Sequence, residues 1–282
     1  MNVPSPWRLL GLRLISRTPG DANCSAPLSY KLVSHSAIRF KLLFILVENL
    51  TPSTYTLQDE ALSSLHPLPS SGLHIRINIT FPFNMANAAH FSGYYYAQQF
   101  TFVNAPTVGY TGIQPRPNQN GRSIVHGVFS SFINGTTTND ANCHSGADGG
   151  PGVSCAVEVA SDYSHTYNMV VENTSGTTWN GTMVDTVTGV RTRVGSWTLP
   201  SNMGGIKSSQ VGFIEYYLWN DGKNHPCNTL PKTSVFFGIP TTMTLGAIPS
   251  LGNAYEYGNC VGQVNFVTSR SPLGVSVSVG VV

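Results

Sequence analysis

Beyond residue 85 no helical period lasts for three turns, so strands are the regular structure this chain can build. Leu73–Phe81 alternates: Ile75, Ile77, Ile79 and Phe81 point one way, His74, Arg76, Asn78 and Thr80 the other. Tyr94–Val103 is aromatic and β-branched. Similar runs follow at Val108–Gln114, Ser123–Ile133, Val153–Ala160, Tyr167–Asn173, Thr177–Val184, Arg191–Leu199, Val211–Trp219, Thr233–Phe237, Thr241–Leu245, Gly262–Ser269 and Val275–Val281. Turn signals part them, among them Asn134-Gly135, Ser175-Gly176, Asn180-Gly181, Asp221-Gly222 and Gly252-Asn253. Many short strands without helices between them predict an all-β protein, a β-sandwich or jelly roll. A propeller would repeat itself about every 40–50 residues, and no such repeat is visible.

Residues 73–282 read as a single β-sandwich domain. Residues 1–72 read as a poorly structured N-terminal segment or a mis-assigned start, because they show no periodic pattern. The run Leu9–Ile15 is broken by Arg13, and the better run Leu42–Val47 lies too late to serve as a signal core. Neither approaches the roughly 20 apolar residues that span a bilayer. Only 10% of residues are charged and the net charge is +2, which offers no basic stripe for a nucleic acid.

Of five cysteines, Cys24 stands apart in the N-terminal segment. The other four lack zinc-ligand spacing. Pairing Cys143 with Cys155 and Cys227 with Cys260 closes loops rich in turn residues. Sequons at Asn134, Asn173 and Asn180 fall beside Gly or Ser in expected turns. Paired cysteines, low charge and sequons together suggest a secreted, extracellular glycoprotein.

The runs Tyr94-Tyr-Tyr-Ala-Gln-Gln-Phe100, Gly109-Tyr-Thr-Gly-Ile-Gln114 and Val128-Phe-Ser-Ser-Phe132, followed in order by Tyr167–Val171, Thr177–Gly181 and Phe213-Ile-Glu-Tyr216, resemble a domain family of unknown function (number thirty-four seventy-two) of fungi and bacteria. The resemblance covers about residues 90–270. It implies a secreted, concanavalin-like (lectin-type) β-sandwich and brings no catalytic residues with it.

Three functions are in contention. The first is recognition of carbohydrate. Many aromatic rings, with neutral polar neighbours, suit stacking on sugars, and Tyr94, Tyr96, Gln98, Gln114, Arg116, Tyr216 and Trp219 are the expected contacts. The second is a polysaccharide-active enzyme, a lyase before a hydrolase, with Tyr96, His126, His144, His165 and Glu215 as candidate catalytic groups. The third is a secreted protein-interaction factor. No cofactor motif stands out. The Asn139–Gly152 loop offers Asp140 and Asp148 as oxygen ligands for Ca²⁺, although its spacing is not that of an EF-hand and turn-stabilising roles explain the same residues.

Overall fold

A computed structural model describes the backbone of residues 42–52 and 74–75 and all of residues 77–282. The expectations for Cys24 and the run Leu9–Ile15 lie outside the described residues. In chain order the strands are β1 (Leu42–Pro52), β2 (His74–Ile75), β3 (Asn78–Asn84), β4 (Tyr94–Thr101), β5 (Val108–Gln119), β6 (Arg122–Ser131), β7 (Cys143–Ala147), β8 (Gly150–Ala160), β9 (Thr166–Ser175), β10 (Thr178–Asp185), β11 (Arg191–Thr198), β12 (Ile206–Lys207), β13 (Ser209–Tyr216), β14 (Thr233–Gly238), β15 (Ala247–Gly258), β16 (Val267–Ser271) and β17 (Gly274–Val279).

Two antiparallel sheets make a β-sandwich, as the strand pattern predicts. One sheet has the order β15-β1-β13-β4-β5-β6-β8-β7, the other β11-β10-β9-β3-β14-β17-β16. The short pair β12-β2 stands beside them.

The core is built from the inward residues of both sheets. Phe81 of β3 stacks on Phe100 of β4 with ring centroids 6.3 Å apart. Phe129 of β6 stacks on Trp197 of β11 at 4.5 Å. Tyr94 and Tyr96 of β4 also point inward. Their hydroxyls reach the Pro231 carbonyl and the Thr233 hydroxyl, so each polar tip is satisfied inside the core. Both expected disulfides are present, Cys143–Cys155 across β7 and β8 and Cys227–Cys260 between two loops.

Several features depart from the sequence reading: the expected strand Gly262–Ser269 begins only at Val267, the Asn180-Gly181 turn signal lies inside β10, and the Asn139–Gly152 loop contains β7. Strand β1 lies within the stretch 1–72 that lacked a visible pattern, and it pairs on both sides, with β13 and β15. Its run Leu42–Val47 is uniformly apolar and so shows no alternation. The alternation of Leu73–Phe81 breaks at Ile77, which is exposed, because the chain passes there from the β2–β12 pair into the seven-stranded sheet. The expected strand Thr241–Leu245 is a loop with Met243 and Leu245 exposed. The strand is β15 instead, whose Pro249, Gly252 and Asn253 read as turn residues but sit along a bulged edge.

Truncating the stacked core ring should be costly. Phe129→Ala is expected to lose about 3–5 kcal/mol of stability, read from the denaturant midpoint by tryptophan fluorescence. A loss under about 1 kcal/mol would mean the cross-sheet stack is not packed as described.

Candidate functional site

Because Tyr94, Tyr96 and Phe100 fill the core, alternation turns Tyr95 and Ala97 to the opposite, outer face of the eight-stranded sheet. Register then extends that face across the neighbours. Glu215 of β13 lies opposite Tyr95. One step beyond the Tyr96/Ile113 pair, Tyr95 neighbours Gln114 of β5, which pairs with His126 of β6, which pairs with Glu158 of β8. The adjacent row is small and apolar: Phe213, Ala97, Gly112, Val128 and Ala156. A line of titratable groups therefore runs across the strands beside an apolar floor.

Glu215 is 7% exposed. The Asn220 amide, from the turn that follows β13, donates to its Oε1 at 2.7 Å. Burial pushes its pKa up to about 7; the Asn220 bond opposes the rise and the charge of Asp148 adds to it. Beside it the buried Tyr95 hydroxyl has no hydrogen-bond partner among the described residues. Its pKa is driven far up by burial, then by the charges of Asp148 and Glu215. Burial likewise raises Asp148 above its ordinary range.

Asp148 comes from the tip of the β7–β8 hairpin. Gly152 fixes where this hairpin runs: its φ is +112°, and a Cβ there would lie 1.9 Å from the Ser131 carbonyl oxygen. The hairpin thus lies against the end of β6, and the Cys143–Cys155 bridge ties its base. At the tip Ala147 is buried and Asp148 is exposed with a φ of +48°.

A second cluster occupies the far end of the row. Arg116 Nε meets Glu158 Oε1 at 3.2 Å, and its NH1 donates to the Tyr217 hydroxyl at 3.0 Å. Gln119 donates to Glu158 Oε2 at 3.1 Å. Burial opposes ionisation of Glu158, but the Gln119 bond, His126 and Arg116 outweigh it and hold the carboxyl below its usual range. His126 is pushed down to about 4, by burial first and by the Arg116 charge second. At neutral pH it is therefore uncharged and donates through Nδ1 to Glu158 at 3.3 Å, because an ionised carboxylate can only accept.

The structure separates the other expected site residues. Tyr94, Tyr96 and Gln98 face the core and are not available to a ligand, correcting the reading of that strand face as a binding surface. Tyr216 packs inward against Tyr94 at 4.9 Å. Trp219 is buried, stacked on His225. His144 is exposed on the edge strand β7 and contacts the Ser145 carbonyl. His165 bonds Asp185 of β10 at 2.8 Å, in the other sheet. The set Tyr96, His126, His144 and His165 thus never meets. Asp140 is taken by Arg193 at 2.6 Å, while the charge of Asp148 acts on Glu215 and Tyr95. Among the described residues no three His, Cys, Asp or Glu side chains gather as a metal site. Asn134 lies in an exposed turn and Asn180 on the outer side of β10, whereas the Asn173 amide is committed to the Gly176 and Thr178 carbonyls.

Sequence reasoning missed Tyr95, Asn220 and the second role of Asp148. The signal for Tyr95 was present in the three-tyrosine run, but only packing says which parity faces inward.

No family model matches the chain, and no curated protein does. What fold and site define is a disulfide-tied antiparallel β-sandwich with a buried carboxyl on one sheet face. Solved structures of similar topology include a Scytalido-glutamic peptidase with a peptide-based transition state analog, at 12% identity and a TM-score of 0.44, covering 86% of this chain and all of that one. Another structure of Scytalido-glutamic peptidase, with a transition state analog inhibitor, gives 13% and 0.41 over 75% of this chain and 94% of the other. SCP-B of the eqolisin family, in complex with the tripeptide Ala-Ile-His, gives 14% and 0.37 over 74% and 95%.

The raised carboxyl has a stability signature. Folding lifts the Glu215 pKa from 4.5 to about 7, so the folded state holds that proton more tightly than the unfolded chain. This stabilisation is complete below pH 4.5 and is lost as pH climbs to about 7. Glu215→Gln should remove the loss, gaining on the parent by on the order of 3 kcal/mol across that interval. Denaturation midpoints at each pH measure it; parallel curves for parent and variant would show that burial does not hold the proton.

Proposed function

We propose that the chain is a secreted hydrolase of extended polymers, glycan or polypeptide, in which Glu215 carries the proton. The observation behind this reading is the buried Glu215 carboxyl, poised near neutrality beside a second carboxyl, Asp148. Groups whose surroundings push their ionisation apart divide acid and base roles. Asp148, the more exposed, ionises first, and its charge keeps Glu215 protonated. Protonated Glu215 donates to the leaving group. Ionised Asp148 takes a proton from the attacking water. The bond to the leaving group breaks as the bond from water oxygen forms, and the pair ends with its proton exchanged. Tyr95, buried opposite Glu215, keeps water from that carboxyl and so holds its proton in place. Arg116 sets a fixed positive charge at the end of the same row.

The lyase alternative loses its support with the scatter of its tyrosine and histidines. Its Arg116 is also occupied by Glu158 and Tyr217. A purely glycan-binding surface would need exposed rings, and the expected ones are buried; Tyr255 and Tyr257 on β15 are the exposed tyrosines of the eight-stranded sheet. The disulfides agree with an extracellular setting.

The test is product release from a panel of neutral and acidic polysaccharides and from a denatured protein, across a pH range that brackets the Glu215 titration near 7. Turnover is expected to fall as pH rises through about 7, where Glu215 ionises. Glu215→Gln should lose about 10²-fold or more in kcat. Asp148→Asn should lower kcat and move the upper limb to lower pH, since the charge that raises Glu215 is gone. Undiminished turnover by Glu215→Gln, or no release from any substrate, would sink the assignment.

A further inference from the structure

A cavity of about 510 Å³ lies beyond the turn that follows β13, within the roughly 300–1,000 Å³ of small-ligand sites. Its walls are residues 224–228 on one side and 259–263 on the other, with Trp219 between them. The Cys227–Cys260 disulfide joins these two walls covalently. The cavity is therefore shaped before any ligand arrives, which lowers the entropic cost of binding.

Its chemistry is selective. The lining side chains that can hydrogen-bond are mainly carboxamides: Asn224, Asn228, Asn259 and Gln263. Each amide presents both a donor and an acceptor. Gln263 donates to the Asn259 carbonyl at 3.4 Å, while the Asn224 and Asn228 side chains have no hydrogen-bond partner among the described residues. The remaining polar wall is His225. Its Nε2 lies 2.8 Å from Asp221 Oδ1, and its ring lies parallel to the Trp219 indole, 3° apart in plane and 5.2 Å between centroids. The lining holds no Lys, Arg, Asp or Glu. An anionic or cationic ligand entering here would leave its charge unpaired. A ligand with many hydroxyls and no net charge would meet amides able to answer each hydroxyl either way, beside the His225 ring that covers the buried Trp219 indole.

The geometry points to a binding site for a short neutral saccharide in this disulfide-framed cavity. It does not depend on the chemistry of Glu215: the site is a second one, reached along the same segment that carries Asn220.

The test uses the whole chain with its disulfides intact, titrated calorimetrically with neutral oligosaccharides (glucose-, xylose-, mannose- and N-acetylglucosamine-based) and with uronic-acid oligosaccharides, while tryptophan fluorescence reports on Trp219. At least one neutral saccharide should bind with a dissociation constant between about 1 µM and 1 mM. Asn228→Ala and Gln263→Ala, both at exposed positions that leave the fold intact, should each weaken that binding by about tenfold. Uronates should not bind. The inference is overturned if no neutral saccharide binds, if only the uronates do, or if Asn228→Ala and Gln263→Ala both bind as the parent does.

Discussion

Two phenol hydroxyls decide which way the middle of the eight-stranded sheet is turned. Tyr94 and Tyr96 reach across to the Pro231 carbonyl and the Thr233 hydroxyl, the second of these bonds fully buried. A slip of one residue would bury Tyr95 in their place and strand their partners. With β4 set this way, Tyr95 must look outward, and pairing brings Glu215 out with it. The environment of that carboxyl is thus a consequence of core packing on the other side of the same strand.

How far this could be read beforehand depends on whether local or distant neighbours set the answer. The runs over β8 to β11 were legible because alternation and turn dipeptides are local. The two disulfides were legible because each closes a turn-rich loop. Strand β15 was hidden because Pro249 and Gly252 are ordinary at a bulged edge, and sequence does not say which strands are edges. Tyr94–Tyr96 defeated the reading for a sharper reason: three identical side chains carry no amphipathic contrast. Glu215 was a candidate by residue type alone. Its raised pKa comes from burial, a property that no stretch of sequence around it displays.

Charge is sparse in this molecule, and what there is has been gathered. Arg116, Glu158, Gln119 and His126 satisfy one another at one end of the row, which keeps that end fixed and His126 uncharged. The Glu215 end has the opposite character, with an unpartnered phenol and a carboxyl under strain from its neighbour. Rigid at one end and unsatisfied at the other, the row is arranged as a support beside a reactive group. His165 and Asp185 form a comparable pair in the other sheet, where hydrogen bonds from His165, Val187 and Thr188 overcome burial and hold Asp185 at about 2. That pair secures the turn after β10.

The pairing of β4 with β13 has a further meaning for how such a chain comes to exist. The tyrosine strand leaves the ribosome early, while its partner bearing Glu215 is made only after β5 to β12. Until then the tyrosine strand is paired with β5 on one edge only, and Pro231 and Thr233, the partners of its buried hydroxyls, come later still. Long-range pairing of this kind is slow and leaves apolar strand edges open in the meantime. The nascent protein therefore carries one edge of its aromatic strand open until β13 is made, and the face that bears Glu215 is completed only then.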